Sequence, residues 1–157
     1  MFCDLVGSTE LSMRLDPEVF RDVVRAYQQA VEGVTERYGG HVAQYLGDGL
    51  LVYFGYPTAH EDDAQRAVHA GLGIPDALAQ LNKRLTVQHG VQLVARVGIH
   101  TGPVVVGRMG GDAHHENLAV GDTPNVAARL QAQAAPGATV ISAGTRQLLG
   151  SLFALTP

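Results

Sequence analysis

Apolar residues recur at helical spacing from Val19 to Tyr38, through Phe20, Val23, Val24, Tyr27, Ala30, Val31 and Val34. Asp16-Pro17-Glu18 stands just before them as a helix cap, a first helical residue and a dipole-favoured carboxylate, and Gly39-Gly40 ends the run. Two strand-like stretches follow, His41 to Leu46 and Leu50 to Phe54, and the Asp-Gly pair of Gly47-Asp48-Gly49 suits a tight hairpin between them. Ala59 to Leu81 is again helical, opened by Glu61, Asp62 and Asp63, with a bend or break expected at Gly73-Ile74-Pro75. Val91, Leu93, Ala95, Val97 and Ile99 then alternate as a strand, with Arg96 on its polar side.

Beyond Gly102-Pro103 and Val104-Val105-Val106, residues 107 to 117 are polar and glycine-bearing, like a loop or extended arm. Asp122-Thr123-Pro124 restarts a helix that Pro136-Gly137 ends; Ala138 to Ser142 reads as a short strand and Thr145 to Leu149 as a short helix. The order β-α-β-β-α-β, followed by more helix and strand, predicts an α+β, ferredoxin-like domain whose sheet contains antiparallel pairs and carries its helices on one face.

Composition narrows the class. At 157 residues the chain fits one domain, and 46% hydrophobic with 17% charged residues is an ordinary globular balance. A net charge of −4 without a basic stripe argues against nucleic acid as the main partner. No run reaches the ~20 apolar residues of a membrane span, and the single cysteine, Cys3, fits a reducing, cytoplasmic setting. Met1-Phe2-Cys3 reaches Asp4 before a full strand is built, and Leu152 to Leu155 stops as a strand begins, so a longer parent is expected.

The candidate chemistry lies in three segments. Phe2-Cys3-Asp4-Leu5-Val6-Gly7-Ser8-Thr9 sets an acid at a strand end before a helix start, where backbone N–H groups can meet phosphate beside a carboxylate for a metal. Gly47-Asp48-Gly49 sets a second acid at a tight turn. Each alone reads more simply as a cap or a hairpin; together they suit a pair of magnesium ions sharing carboxylates and phosphate oxygens. In Gly121-Asp122-Thr123-Pro124-Asn125-Val126-Ala127-Ala128-Arg129, the four-residue spacing puts Asn125 and Arg129 on one helical face. His60-Glu61 lacks the second histidine of a zinc-protease motif, since Ala64 holds that position, and His114-His115 reads as a solvated loop.

These segments, with Val97-Gly98-Ile99-His100-Thr101-Gly102, resemble the class III adenylate and guanylate cyclase catalytic domain over nearly the whole chain. Tyr53-Phe54-Gly55-Tyr56-Pro57 and His60-Glu61-Asp62-Asp63-Ala64 are similar to a bacterial branch often fused to ATPase and repeat regions. The resemblance implies that Asp4 and Asp48 bind two Mg²⁺ or Mn²⁺ ions, and that Gly7, Ser8 and Thr9 contact phosphates through the backbone. It also implies that Asn125 orients the ribose and Arg129 meets charge at the α-phosphate, the last two supplied by the partner of a homodimer. Gly107 to Gly111 would belong to a hairpin arm at that dimer interface.

Two departures bear on the substrate. Where many members read the purine edge with a lysine and with an Asp or Thr, this chain has Gln44 and Leu118, so weaker discrimination between ATP and GTP is expected. The only lysine, Lys83, stands on the second long helix, away from where the family's phosphate-binding lysine occurs. The competing reading is a catalytically weak or inactive cyclase-homology module that binds nucleotide or dimerises for regulation. A diguanylate cyclase ranks last, because the Gly-Gly-Asp/Glu-Glu-Phe signature is missing.

Overall fold

The computed structural model describes residues 1–109 and 116–157, with the side chains of 107–109 and 116–120 outside the described set. Its elements are β1 (Phe2–Leu5), α1 (Ser8–Arg14), α2 (Pro17–Arg37), β2 (His41–Leu46), β3 (Gly49–Tyr53), α3 (Asp63–His89), β4 (Ala95–Ile99), β5 (Val105–Met109), β6 (Glu116–Val120), α4 (Thr123–Gln133), β7 (Thr139–Ile141) and α5 (Ala143–Leu149). The start of α2 is the expected one: Asp16 accepts the Glu18 backbone N–H and Pro17 takes the first turn.

The main sheet has the order β2-β3-β1-β4-β7. β1 runs antiparallel to both β3 and β4, and β7 adds in parallel to β4. The first four strands make the βαββαβ ferredoxin-like arrangement, and β5 and β6 form a second, two-stranded antiparallel pair beside β2.

Helices cover both faces of this sheet, not one as expected. Cys3, Leu5, Ala95, Val97 and Ile99 join Val23, Tyr27, Val31, Ile74 and Leu78 of α2 and α3 in one apolar core. Alternation then turns Phe2, Asp4, Arg96 and Gly98 the other way. There α4 lies so close that a Cβ on Gly98 would run into the Ala127 carbonyl oxygen and the Gln131 nitrogen. Glycine in Val97-Gly98-Ile99 is therefore a packing requirement. Truncating a fully buried core residue such as Leu50 or Ile74 to alanine should cost about 2–5 kcal/mol.

Other elements also differ from the sequence pattern. β1 forms although only four residues long, because pairing on both sides supplies its backbone partners. α3 continues through Pro75 for 27 residues, since Ile74, Leu78 and Leu85 bury on either side of an exposed proline. β4 begins only at Ala95, although Val91 and Leu93 keep the inward alternation. The hairpin loop is Gly47-Asp48, not Asp48-Gly49: Leu46 pairs with Gly49, and Gly47 carries the positive φ of 63°. Leu152 to Leu155 forms no strand; Phe153 instead sets its ring edge-on to His69 at 4.9 Å. Part of the expected arm, residues 107–109 and 116–117, is strand, and His114 and His115 lie outside the described residues.

Candidate active site

Antiparallel pairing brings three charged residues of distant sequence to one end of the sheet. Asp4 and Arg96 are register partners across β1 and β4. The Gly47-Asp48 turn arrives beside them because β3 pairs with β1 on the other side, Leu50 opposite Cys3.

The aspartates face one another. Asp4 is pushed up to about 6 by burial first, then by the charge of Asp48 and a hydrogen bond shared with it. The Leu5 N–H, which donates to Asp4 Oδ1 at 2.9 Å, and the Arg96 charge pull the other way without cancelling the rise. Asp48 Oδ2 is buried with no hydrogen-bond partner, and so is Arg96 Nε. Beneath them, Cys3 Sγ meets the Tyr27 hydroxyl at 3.2 Å, and burial pushes the thiol up to about 12, which leaves a neutral floor.

Such a pair is destabilised as two bare anions, and its hard oxygen donors fit a small divalent cation. Among the described residues no group of three or more His, Cys, Asp or Glu side chains gathers around a metal position. Further ligands would have to be backbone, water or substrate oxygens. Arg96 escaped the sequence reading because strand alternation shows only a polar side; the sheet register makes that side the acid site.

Gly7 caps α1 in the left-handed conformation at φ 70°, and no side chain caps that helix. The N–H groups of Ser8 and Thr9 thus begin a helix four residues beyond Asp4, without a side-chain acceptor. Gln44 lies just after an irregularity in β2 and pairs with Leu51. Leu118 pairs with Gly107 in the hairpin, and β6 runs alongside β2, so the strands carrying Gln44 and Leu118 are neighbours. The side chain of Leu118 is outside the described set.

Asn125 and Arg129 make no hydrogen bond or ion pair with the acids. Both lie exposed on α4, one turn apart, and among the described residues neither meets a partner. Elsewhere, His100 Nδ1 sits 2.8 Å from Ser142 Oγ, and Thr101 Oγ1 2.9 Å from the buried Thr145 Oγ1. The polar end of Val97-to-Gly102 thereby ties β4 to α5, at the sheet end away from Asp4.

A family model described as the adenylate and guanylate cyclase catalytic domain matches residues 1–157. An adenylate cyclase of Anabaena cylindrica is 29% identical over 136 residues, covering 83% of this chain and 26% of its own length. Across three curated relatives the chain spans 14% to 26% of their length. The crystal structure of the guanylyl cyclase Cya2 superposes with a TM-score of 0.91 at 35% identity, covering 96% of this chain and 76% of that one. The adenylyl cyclase CyaB from P. aeruginosa gives 0.88 at 31%, covering 94% and 77%. With the match running the full length of the chain and the fold superposing on a solved cyclase at a TM-score of 0.91, this protein belongs to the adenylate and guanylate cyclase catalytic domain family.

Proposed function

We propose that the chain is the catalytic domain of a nucleotidyl cyclase that converts ATP or GTP to the 3′,5′-cyclic monophosphate and pyrophosphate, at sites shared by two copies of the chain. The observation that carries this reading is the division of polar groups: a facing acid pair with an orphaned Asp48 oxygen, and an exposed Asn125–Arg129 face with nothing opposite it among the described residues. Asp4 and Asp48 would hold two Mg²⁺ or Mn²⁺ ions, which when bound acidify the ribose 3′-hydroxyl and neutralise triphosphate charge.

In the step itself, the 3′-oxygen attacks the α-phosphorus in line, the bond to the β-phosphate oxygen breaks, and the hydroxyl proton passes to solvent. The backbone of Gly7, Ser8 and Thr9 offers N–H groups to phosphate oxygens. Arg96, on the acids' own protomer, supplies a guanidinium toward the same charge, a role the distant Lys83 does not fill. The partner's α4 face completes the site, Asn125 orienting the ribose and Arg129 meeting the charge that grows at the α-phosphate in the transition state. A two-fold homodimer makes two equivalent sites. Base choice falls to the β2 and β6 region of Gln44 and Leu118. The relatives include both adenylyl and guanylyl cyclases at similar identity, which supports leaving both nucleotides as substrates.

Incubating the dimeric protein with MnATP or MnGTP should release cyclic nucleotide and pyrophosphate in equal amounts. A confirmed dimer that binds nucleotide without forming product would overturn the catalytic reading and leave a nucleotide-binding module. A reducing, cytoplasmic setting fits the nucleotide substrates and the thiol of Cys3.

A further inference from the structure

Two consecutive residues of α2 each grip the residue that precedes one of the aspartates. Tyr27 reaches Cys3, the neighbour of Asp4, through the 3.2 Å contact between its hydroxyl and the sulfur. Gln28 Nε2 donates to the carbonyl of Gly47, the neighbour of Asp48, at 3.0 Å. The first contact is fully buried; the second lies at the surface. β1 and the hairpin turn are thus referred to one turn of one helix.

The Gly47 grip has a specific physical consequence. The Gly47 carbonyl and the Asp48 N–H share one peptide plane, so holding that oxygen sets the backbone angle from which the Asp48 side chain departs. Gly47 sits at φ 63° and a Cβ there would meet nothing within 4 Å, so the turn is open and free of side-chain packing. Glycine in such a loop allows several peptide orientations, and a single donor from outside selects among them. The neighbouring Tyr45 lines a groove with Gln28 and Glu32, which sets β2 beside the same face of the helix.

We propose that Gln28 is a positioning residue for the metal site: by holding the Gly47 carbonyl it fixes the Asp48 carboxylate at its distance from Asp4, and so sets the affinity of the ion the two share. The inference rests on the metal-binding reading of the aspartates given above. Gln28 touches neither metal nor substrate and acts only through the turn. Removing a group that orients a metal ligand commonly costs metal affinity while the fold survives.

The test uses the dimeric protein, with Mn²⁺ alone titrated by electron paramagnetic resonance in the absence of nucleotide, beside thermal melts of the metal-free form. Gln28→Leu, which keeps the size and loses the donor, should weaken Mn²⁺ binding about tenfold or more, with the metal-free melting temperature nearly unchanged. Gln28→Lys, which restores a donor, should recover most of the affinity. In turnover, Gln28→Leu should raise the metal concentration for half-maximal rate and leave kcat at saturating metal close to the parent value. Parent-like Mn²⁺ binding by Gln28→Leu, or a Gln28→Lys variant as weak as Gln28→Leu, overturns the proposal. Asp48→Ala separates the two claims: if it loses Mn²⁺ binding while Gln28→Leu does not, only the positioning role fails. Should Asp48→Ala bind Mn²⁺ like the parent, the metal reading itself fails and takes this inference with it.

Discussion

The acid end of the sheet and the exposed face of α4 carry opposite kinds of incompleteness. At the acid end, Asp4, Asp48 and Arg96 are packed together, with a carboxylate oxygen and a guanidinium nitrogen buried and unpartnered. The cost is internal to one protomer, and a cation with a phosphate can relieve it. On α4, Asn125 and Arg129 are solvated at no cost and have nothing opposite them among the described residues. The difference teaches where each half of the chemistry is prepared. On the proposed reading, the fold preorganises the metal half and a second copy of the chain delivers the transition-state half.

The largest effect should come from breaking the acid half. Asp48→Ala should lower kcat at least ~10³-fold with either nucleotide, because no other described carboxylate lies beside Asp4 to replace it. A residual rate within tenfold of the parent, measured by cyclic nucleotide formation, contradicts the metal role. On the other half, Arg129→Ala should lower kcat about 10²–10³-fold, the scale for loss of one group that stabilises developing charge. Its melting temperature should not move, since the side chain is exposed; a large fall in stability would mean that Arg129 holds the fold together.

A third prediction concerns pH. Folded Asp4 holds its proton up to about 6, above its ordinary 3.8, so the metal-free folded state binds more protons than the unfolded chain between those values. The contribution of this pair to stability is therefore present below about pH 4 and lost as pH rises through about 6. Asp48→Asn should remove the part of that loss that comes from the Asp48 charge and leave the larger part due to burial, and Mg²⁺ or Mn²⁺ should reverse the loss in the parent above pH 6. Melting curves at pH 4 to 7, compared between parent and variant, read the difference directly; parallel curves would deny the repulsion.

The smallest effect concerns base choice. Gln44→Lys should shift the ratio of ATP to GTP turnover by less than about tenfold, as expected when one polar contact changes in a site with few directed ones. An unchanged ratio removes Gln44 from base reading.

Much of this was legible in the sequence. The Asp16-Pro17 cap, the hairpin around Asp48, the alternating Val91-to-Ile99 stretch and the restart at Thr123-Pro124 rest on local rules, and each element formed near its expected place, β4 only from Ala95 onward. Rules that are local fail where tertiary packing decides. Pro75 should end a helix, yet burial of apolar residues on both sides carries α3 through it. Period-two alternation told Arg96 only to avoid the core, because alternation does not say which strand pairs with which. The placement of α4 on the second face was likewise hidden, although Gly98 between two valine and isoleucine neighbours marks the close approach once the sheet is known. Gln28 carried no signal at all, since a glutamine on the polar side of a helix is ordinary.

Mixing two inactive variants tests the shared site most directly. Asp48→Ala and Arg129→Ala chains, combined in equal amounts under conditions that let subunits exchange, form heterodimers in which one site has both halves intact. Random pairing makes half of all dimers mixed, so the account predicts recovery of about a quarter of the parent activity. A mixture that verifiably exchanges subunits yet stays as inactive as its components would contradict it.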